Sequence, residues 1–203
     1  AAQRGAAALA LELAKEQAVQ AAEERLRGDF LSNILAGPPG DLAAAMQRGQ
    51  ELGYSLSTPH VAVLLYLEEA NAATLARISS ALQSELSRRN ITAPISRRES
   101  SVLCMIPVAT AARTRELMEQ LRERLVADYP KLLIAVGTQA PNLSEWRRSV
   151  EEAEQALLLG RQLFGTGRVL AFSDLGVYRL LVRLRETPEL WAFYRETLSK
   201  LAD

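Results

Sequence analysis

The chain has a single cysteine and a single histidine in 203 residues. With Cys104 alone, an intramolecular disulfide and a four-cysteine metal site are both excluded, and such sparing use of cysteine fits a reducing cytoplasm. With His60 as the only imidazole, most histidine-based chemistry is removed. An excess of one charge is also missing: Lys+Arg and Asp+Glu number 24 each, for a formal net charge of zero. A stand-alone nucleic-acid-binding domain carries a basic excess, so this chain is not expected to hold DNA strongly by itself. No apolar run approaches the ~18–20 residues that span a bilayer. The opening Ala1–Leu13 has one arginine and no signal-peptide pattern, so the expectation is a cytoplasmic chain without membrane association. What is present is 48% hydrophobic residues, enough to fill the core of one domain with an appendage, or of two small ones. An alanine-rich opening without an initiator reads as a piece of a longer protein.

Residues 1–36 read as one long helix, rich in Ala, Leu, Glu, Gln and Arg, all good helix formers. Leu11, Ala14, Ala18 and Ala21 follow a heptad-like spacing. Leu26, Phe30 and Ile34 step by four, as a core-facing stripe does. Two readings stand open for this segment. It is a surface helix docked on its own domain, or it is a connector that pairs two protomers along the thin seam at Leu11, Ala14, Ala18 and Ala21. Gly37-Pro38-Pro39-Gly40 stops it.

Asp41 is placed to cap a short helix to Leu52, with Gly53 at its C-terminal side. The run Val61–Leu67 is continuously apolar and too short for a helix, so it predicts a strand buried on both faces. Helical spacing returns over 71–89 through Leu75, Ile78, Leu82 and Leu86. Ile91–Ser96 predicts an edge strand because Pro94 interrupts it. Arg97–Ser100 predicts a polar hairpin tip, and Val102–Ile106 a second buried strand. Residues 110–128 are helical through Leu117, Leu121 and Leu125, and 131–137 predict another strand. This order is the split βαβ arrangement, with both helices on one face of a four-stranded sheet. A further helix follows, capped by Ser144, with Trp146, Val150, Ala153, Leu157, Gly160 and Phe164 on one face. Val169–Ala171 then predicts a short strand, Asp174 a cap for a helix to Leu184, and Pro188 the start of a last helix. The fold class expected is α+β, with boundaries at 1–36 for the connector, 37–175 for the sheet domain and 176–203 for C-terminal helices.

Single residues suggest little chemistry. His60 precedes a strand and lacks an obvious acid or nucleophile partner, so packing or capping is the simpler role. Cys104 sits inside an apolar strand as a small core residue. Arg179 and Arg183, with Arg168 and Arg185, form either a solvated helix face or a phosphate patch. Gly165-Thr166-Gly167-Arg168 follows a helix and lacks the Gly-Lys-Ser/Thr ending of a phosphate loop.

The strand–hairpin order resembles the ferredoxin-like palm of nucleotide cyclases, including GGDEF diguanylate cyclases. Those enzymes hold two divalent metals with carboxylates at the end of the first strand and at the hairpin. Where a cyclase of that kind reads Gly-Gly-Asp-Glu-Phe, this chain reads Arg98-Glu99-Ser100-Ser101-Val102. After the first strand it reads Glu68-Glu69-Ala70-Asn71, without the Asp-apolar-Asp spacing and the following Phe-Lys. Hard Mg²⁺ needs several oxygen ligands, and a two-metal reaction needs both ions clamped together. No catalytic residue, metal or cofactor is therefore expected. The wording of Ser149–Leu181, SVEEAEQALLLGRQLFGTGRVLAFSDLGVYRLL, resembles the middle region of PucR/CdaR-type bacterial transcription regulators. Arg27–Leu31, Leu52–Leu56, Pro59–Val61 and Arg98–Pro107 are similar to that family as well. The resemblance implies a degenerate GGDEF-like domain that is not an enzyme and relays a signal within a homodimer. It further implies that DNA is bound only by a helix-turn-helix domain beyond Asp203. The rival expectation is a small-molecule effector site at the former nucleotide position, between Glu68 and the Glu99–Ser101 turn, with Arg98 and Ser100 beside it.

Overall fold

The computed structural model describes residues 15, 28, 30–36, 42–108 and 110–178. At its centre lies β1 (His60–Tyr66), every residue of which but Tyr66 is buried. A strand apolar at consecutive positions must be covered on both faces. Val61, Val63 and Leu65 point into one core, and Ala62 and Leu64 into the other. The strand order is β2 (Ile95–Arg97), β3 (Ser101–Pro107), β1, β4 (Leu133–Ala140) and β5 (Val169–Ala171). β1 runs antiparallel to both β3 and β4, and β5 adds to β4 in parallel. The mixed α+β class and the split βαβ order expected from the sequence are both present.

Two helical layers sandwich the sheet. On the first face lie α3 (Ala72–Arg88) and α4 (Ala111–Leu125), which bury Leu75, Ile78, Leu82, Leu117, Met118 and Leu121 against β1, β3 and β4. Asn71 Oδ1 accepts from Thr74 N at the start of α3, and Thr110 Oγ1 from Arg113 N at the start of α4, each satisfying a free helix-end N–H. The other face carries α1 (described over 30–36), α2 (Leu42–Glu51) and α5 (Trp146–Phe164). Phe30, Leu31, Trp146, Val150, Ala153 and Ala156 fill its core. Phe30 and Ile34 therefore face the domain as expected, although Leu31 is the more deeply buried. Gly53 lies beyond α2 at φ 79°, the left-handed conformation expected there. Asp41, Leu26, the seam at Leu11, Ala14, Ala18 and Ala21, and the helices expected past Tyr178 fall outside the described residues.

A β-bulge fixes how α5 sits. Between Val61 and Val63 the β1–β4 register slips, so the ladder leaves Ala62 N–H without its regular partner. Ser149 Oγ of α5 takes that N–H at 3.0 Å and donates its own proton to Thr138 O at 2.5 Å. Helix and strand approach so closely that a Cβ on Gly137 would lie 2.1 Å from Ser149 O.

Several sequence-based boundaries shift. The strand expected over 131–137 starts at Leu133, because Leu132 N closes a turn on Tyr129 O. It runs on to Ala140 because His60 at the start of β1 still offers it a partner. The edge strand is confined to Ile95–Arg97, and Arg97 belongs to it, not to the tip. Ser144 does not cap α5. Its hydroxyl donates to Asn142 Oδ1, within a 3-10 turn at Leu143–Glu145 that leads into the helix. Asp174 likewise sits inside a 3-10 turn, Phe172–Leu175, and its Oδ2 accepts from Ala171 N. It thereby closes the outer edge of β5, a position that otherwise invites further strand pairing.

Candidate functional site

The end of β1 and the β2–β3 hairpin come together at one end of the sheet. Tyr66 is in register with Ser101, and Arg98 N–H donates to Ser101 O at 2.8 Å to close the hairpin. Ser101 is buried as the first residue of β3, whereas Arg98, Glu99 and Ser100 are exposed at the tip. Glu69 takes a left-handed φ of 59° in the loop after β1, which turns the chain toward the Asn71 cap.

Helix α5 reaches over this end with two side chains. Arg161 donates to Tyr66 Oη at 2.8 Å, its guanidinium lies 5.6 Å from the Tyr66 ring centre, and it stands 3.9 Å from a Glu68 carboxylate oxygen. Glu154 accepts from Arg98 at 2.6 Å. Seven residues separate Glu154 from Arg161, two helical turns, which puts both on one face. Glu68 and Arg98, two of the residues singled out in the sequence, are thus each engaged by α5, and Glu99 and Ser100 stay at the solvated tip. Neither Glu154 nor Arg161 was found by sequence reasoning. Their signal is a seven-residue spacing on a helix read for its apolar face alone.

A cavity of about 260 Å³ borders the hairpin between α1 and β2–β3, with Leu31, Leu35, Ser96, Arg98 and Leu103 in its wall. A wider groove of about 390 Å³ between α3 and α4 carries both signs of charge, from Arg89, Arg113 and Glu116. Beside it the carboxylate of Glu85, only 2% exposed, receives Arg88, Arg89 and Arg124 and ties the two helices together. Among the described residues there is no group of three or more His, Cys, Asp or Glu placed to share a metal ion.

At the opposite end of the sheet, His60 is fully buried. Its Nδ1 lies 2.7 Å from Thr58 O, an atom that can only accept, so Nδ1 carries the proton. The ring packs 4.6 Å from that of Trp146, and neither His60 Nε2 nor Trp146 Nε1 has a hydrogen-bond partner. Burial, opposed by the Thr58 bond, lowers the His60 pKa to about 4. Packing is its role, as expected. Cys104 is also a core residue, its thiol pushed up by burial.

The sheet order, the hairpin and the two helical layers define an α+β domain of the split βαβ kind, extended by a parallel fifth strand. Residues 36–159, more than half the chain, match the GGDEF-like domain, and the chain belongs to that family. Among solved structures it is similar to the active GGEEF domain of a diguanylate cyclase from Vibrio cholerae, at 16% identity and a TM-score of 0.46, covering 64% of this chain and 90% of that one. No curated protein matches it.

Proposed function

We propose that this GGDEF-like domain is a non-catalytic regulatory module of a cytoplasmic bacterial transcription regulator of the PucR/CdaR type. In this reading it holds two protomers together and relays a change in an upstream domain toward a DNA-binding domain. The observation that carries the proposal is the state of the hairpin end. Arg98 stands at the first glycine position of a cyclase hairpin and is paired to Glu154. Ser100 and Ser101 stand where the acids would be. Arg161 lies directly against Tyr66 at the end of β1, where a cyclase carries metal-binding carboxylates. Arginines and serine hydroxyls at these positions leave fewer carboxylate oxygens than two clamped Mg²⁺ ions require. No described helix is long and apolar enough to cross a membrane, which is compatible with the location proposed. Incubation of the purified chain with GTP and Mg²⁺, followed by nucleotide chromatography, is expected to yield no cyclic dinucleotide. Turnover above a boiled control would overturn the non-catalytic reading.

The second reading, a domain that senses a small molecule, is favoured by the cavity beside Arg98. That cavity lies against α1 and shares Arg98, but not Glu68, Glu99, Ser100 or Ser101, with the position expected from the sequence.

A further inference from the structure

The cavity between α1 and the β2–β3 hairpin has an apolar floor and a polar mouth. Leu31 and Leu103 are fully buried beneath it, Leu35 and Ala36 form the α1 wall, and Ser32, Ser96 and Arg98 supply its polar groups. Ser96 is only 8% exposed, and its hydroxyl faces α1, 3.9 Å from where a Cβ on Gly28 would stand. A hydroxyl in the wall of a cavity can donate to and accept from a group supplied from outside. Arg98 commits one guanidinium nitrogen to Glu154, and a guanidinium has five N–H donors in a fork that matches a carboxylate.

We propose that this cavity binds a small organic carboxylate. One carboxylate oxygen is held by the free donors of Arg98, and the other accepts from the Ser96 hydroxyl. A short apolar body lies on Leu31, Leu35 and Leu103. The permanent charge of Arg98 repels cationic ligands and favours an anion over a neutral isostere. A volume of about 260 Å³ lies below the roughly 300–1,000 Å³ of sites for drug-sized molecules, which limits the body to about one six-membered ring or a short chain. The ligand uses the donors of Arg98 that Glu154 leaves free and bridges α1 to the hairpin. Binding therefore seats α1 more firmly against the hairpin while the Arg98–Glu154 pair stays in place. That consequence rests on the regulatory reading above; the site itself does not.

The test is a two-dimensional ¹⁵N–¹H NMR titration of the full chain with benzoate, and with benzylamine as the cationic control. The expected result is saturable shifts at residues 31–36, 96–98 and 103 with benzoate and none with benzylamine. The affinity falls at least tenfold in Arg98→Gln and in Ser96→Val, and is unchanged in Arg113→Gln, which alters the separate α3–α4 groove. Leu35→Trp, which fills the cavity without touching the polar groups, abolishes the shifts. Non-saturating shifts, shifts centred elsewhere, or full affinity in Arg98→Gln overturn the proposal. Its failure leaves the relay reading standing, because that reading is tested by turnover and by assembly and not by binding.

Discussion

His60 shows how burial outweighs a hydrogen bond in setting a residue's contribution. Its side chain is enclosed with Trp146, and its pKa falls to about 4. The unfolded chain protonates this ring near pH 6.5, whereas the folded chain resists protonation until about pH 4. Between those values the unfolded state holds more protons, so stability decreases as pH falls. Over that interval the loss amounts to about 3 kcal/mol, and above pH 6.5 the residue contributes no slope. Urea unfolding followed from pH 7 to pH 4 should show this decline, and His60→Phe, which keeps the ring against Trp146, should flatten it. An unchanged slope in that variant would remove His60 as the cause. The sequence placed His60 before a strand and discounted catalysis. Its stacking on Trp146, 86 positions away in the chain, needed the fold.

At the scale of elements, the docking of α5 on β4 depends on one hydroxyl. Ser149 satisfies the N–H that the bulge strands at Ala62 and also bonds Thr138 O. Ser149→Ala removes both bonds, one of them to the buried Ala62 N–H, and is expected to cost about 2 kcal/mol, measured by urea denaturation. Ser144→Ala, whose hydroxyl meets only Asn142 in an exposed turn, should change stability by less than about 0.5 kcal/mol. Equal effects in the two variants would show that the bulge contact does not bear on docking. The apolar periodicity of α5 was legible, since Trp146, Val150, Ala153 and Gly160 are buried as the spacing predicted. The polar members of the face were not. A serine on an apolar stripe looks like a tolerated substitution until the bulge opposite it is known. The same limit applies to the caps. Ser144 and Asp174 are residues of capping type, but each bonds within a 3-10 turn, and local composition does not distinguish a turn from a helix start.

For the molecule as a whole, the regulatory reading turns on assembly. Relay between an upstream and a downstream domain requires two arrangements with different free energies, and the proposed reading assigns them to pairing of the connector at 1–36. The chain is therefore expected to sediment as a dimer, and deletion of residues 1–25, which removes Leu11, Ala14, Ala18 and Ala21, should weaken self-association. A monomer at high concentration with those residues intact would refute the dimer. The end of the sheet gives a parallel argument. The loss of the glycines and acids from the hairpin was legible at Arg98–Ser101 because motif positions are local. The strap from Glu154 and Arg161 was not, because it joins residues 56 and 95 positions apart.

The sequence by itself determined the order of the described elements up to β5, the α+β class and the replacement of the cyclase hairpin motif by Arg98-Glu99-Ser100-Ser101-Val102. Apolar periodicity and motif identity are carried by neighbouring residues, and local sterics read them out directly. Only the tertiary structure decided that Arg98 faces α5, that Ser149 serves a bulge in β1, and that the cavity at the hairpin opens against α1 and not beside Glu68. Each depends on where distant segments pack, and packing is fixed by the whole core at once.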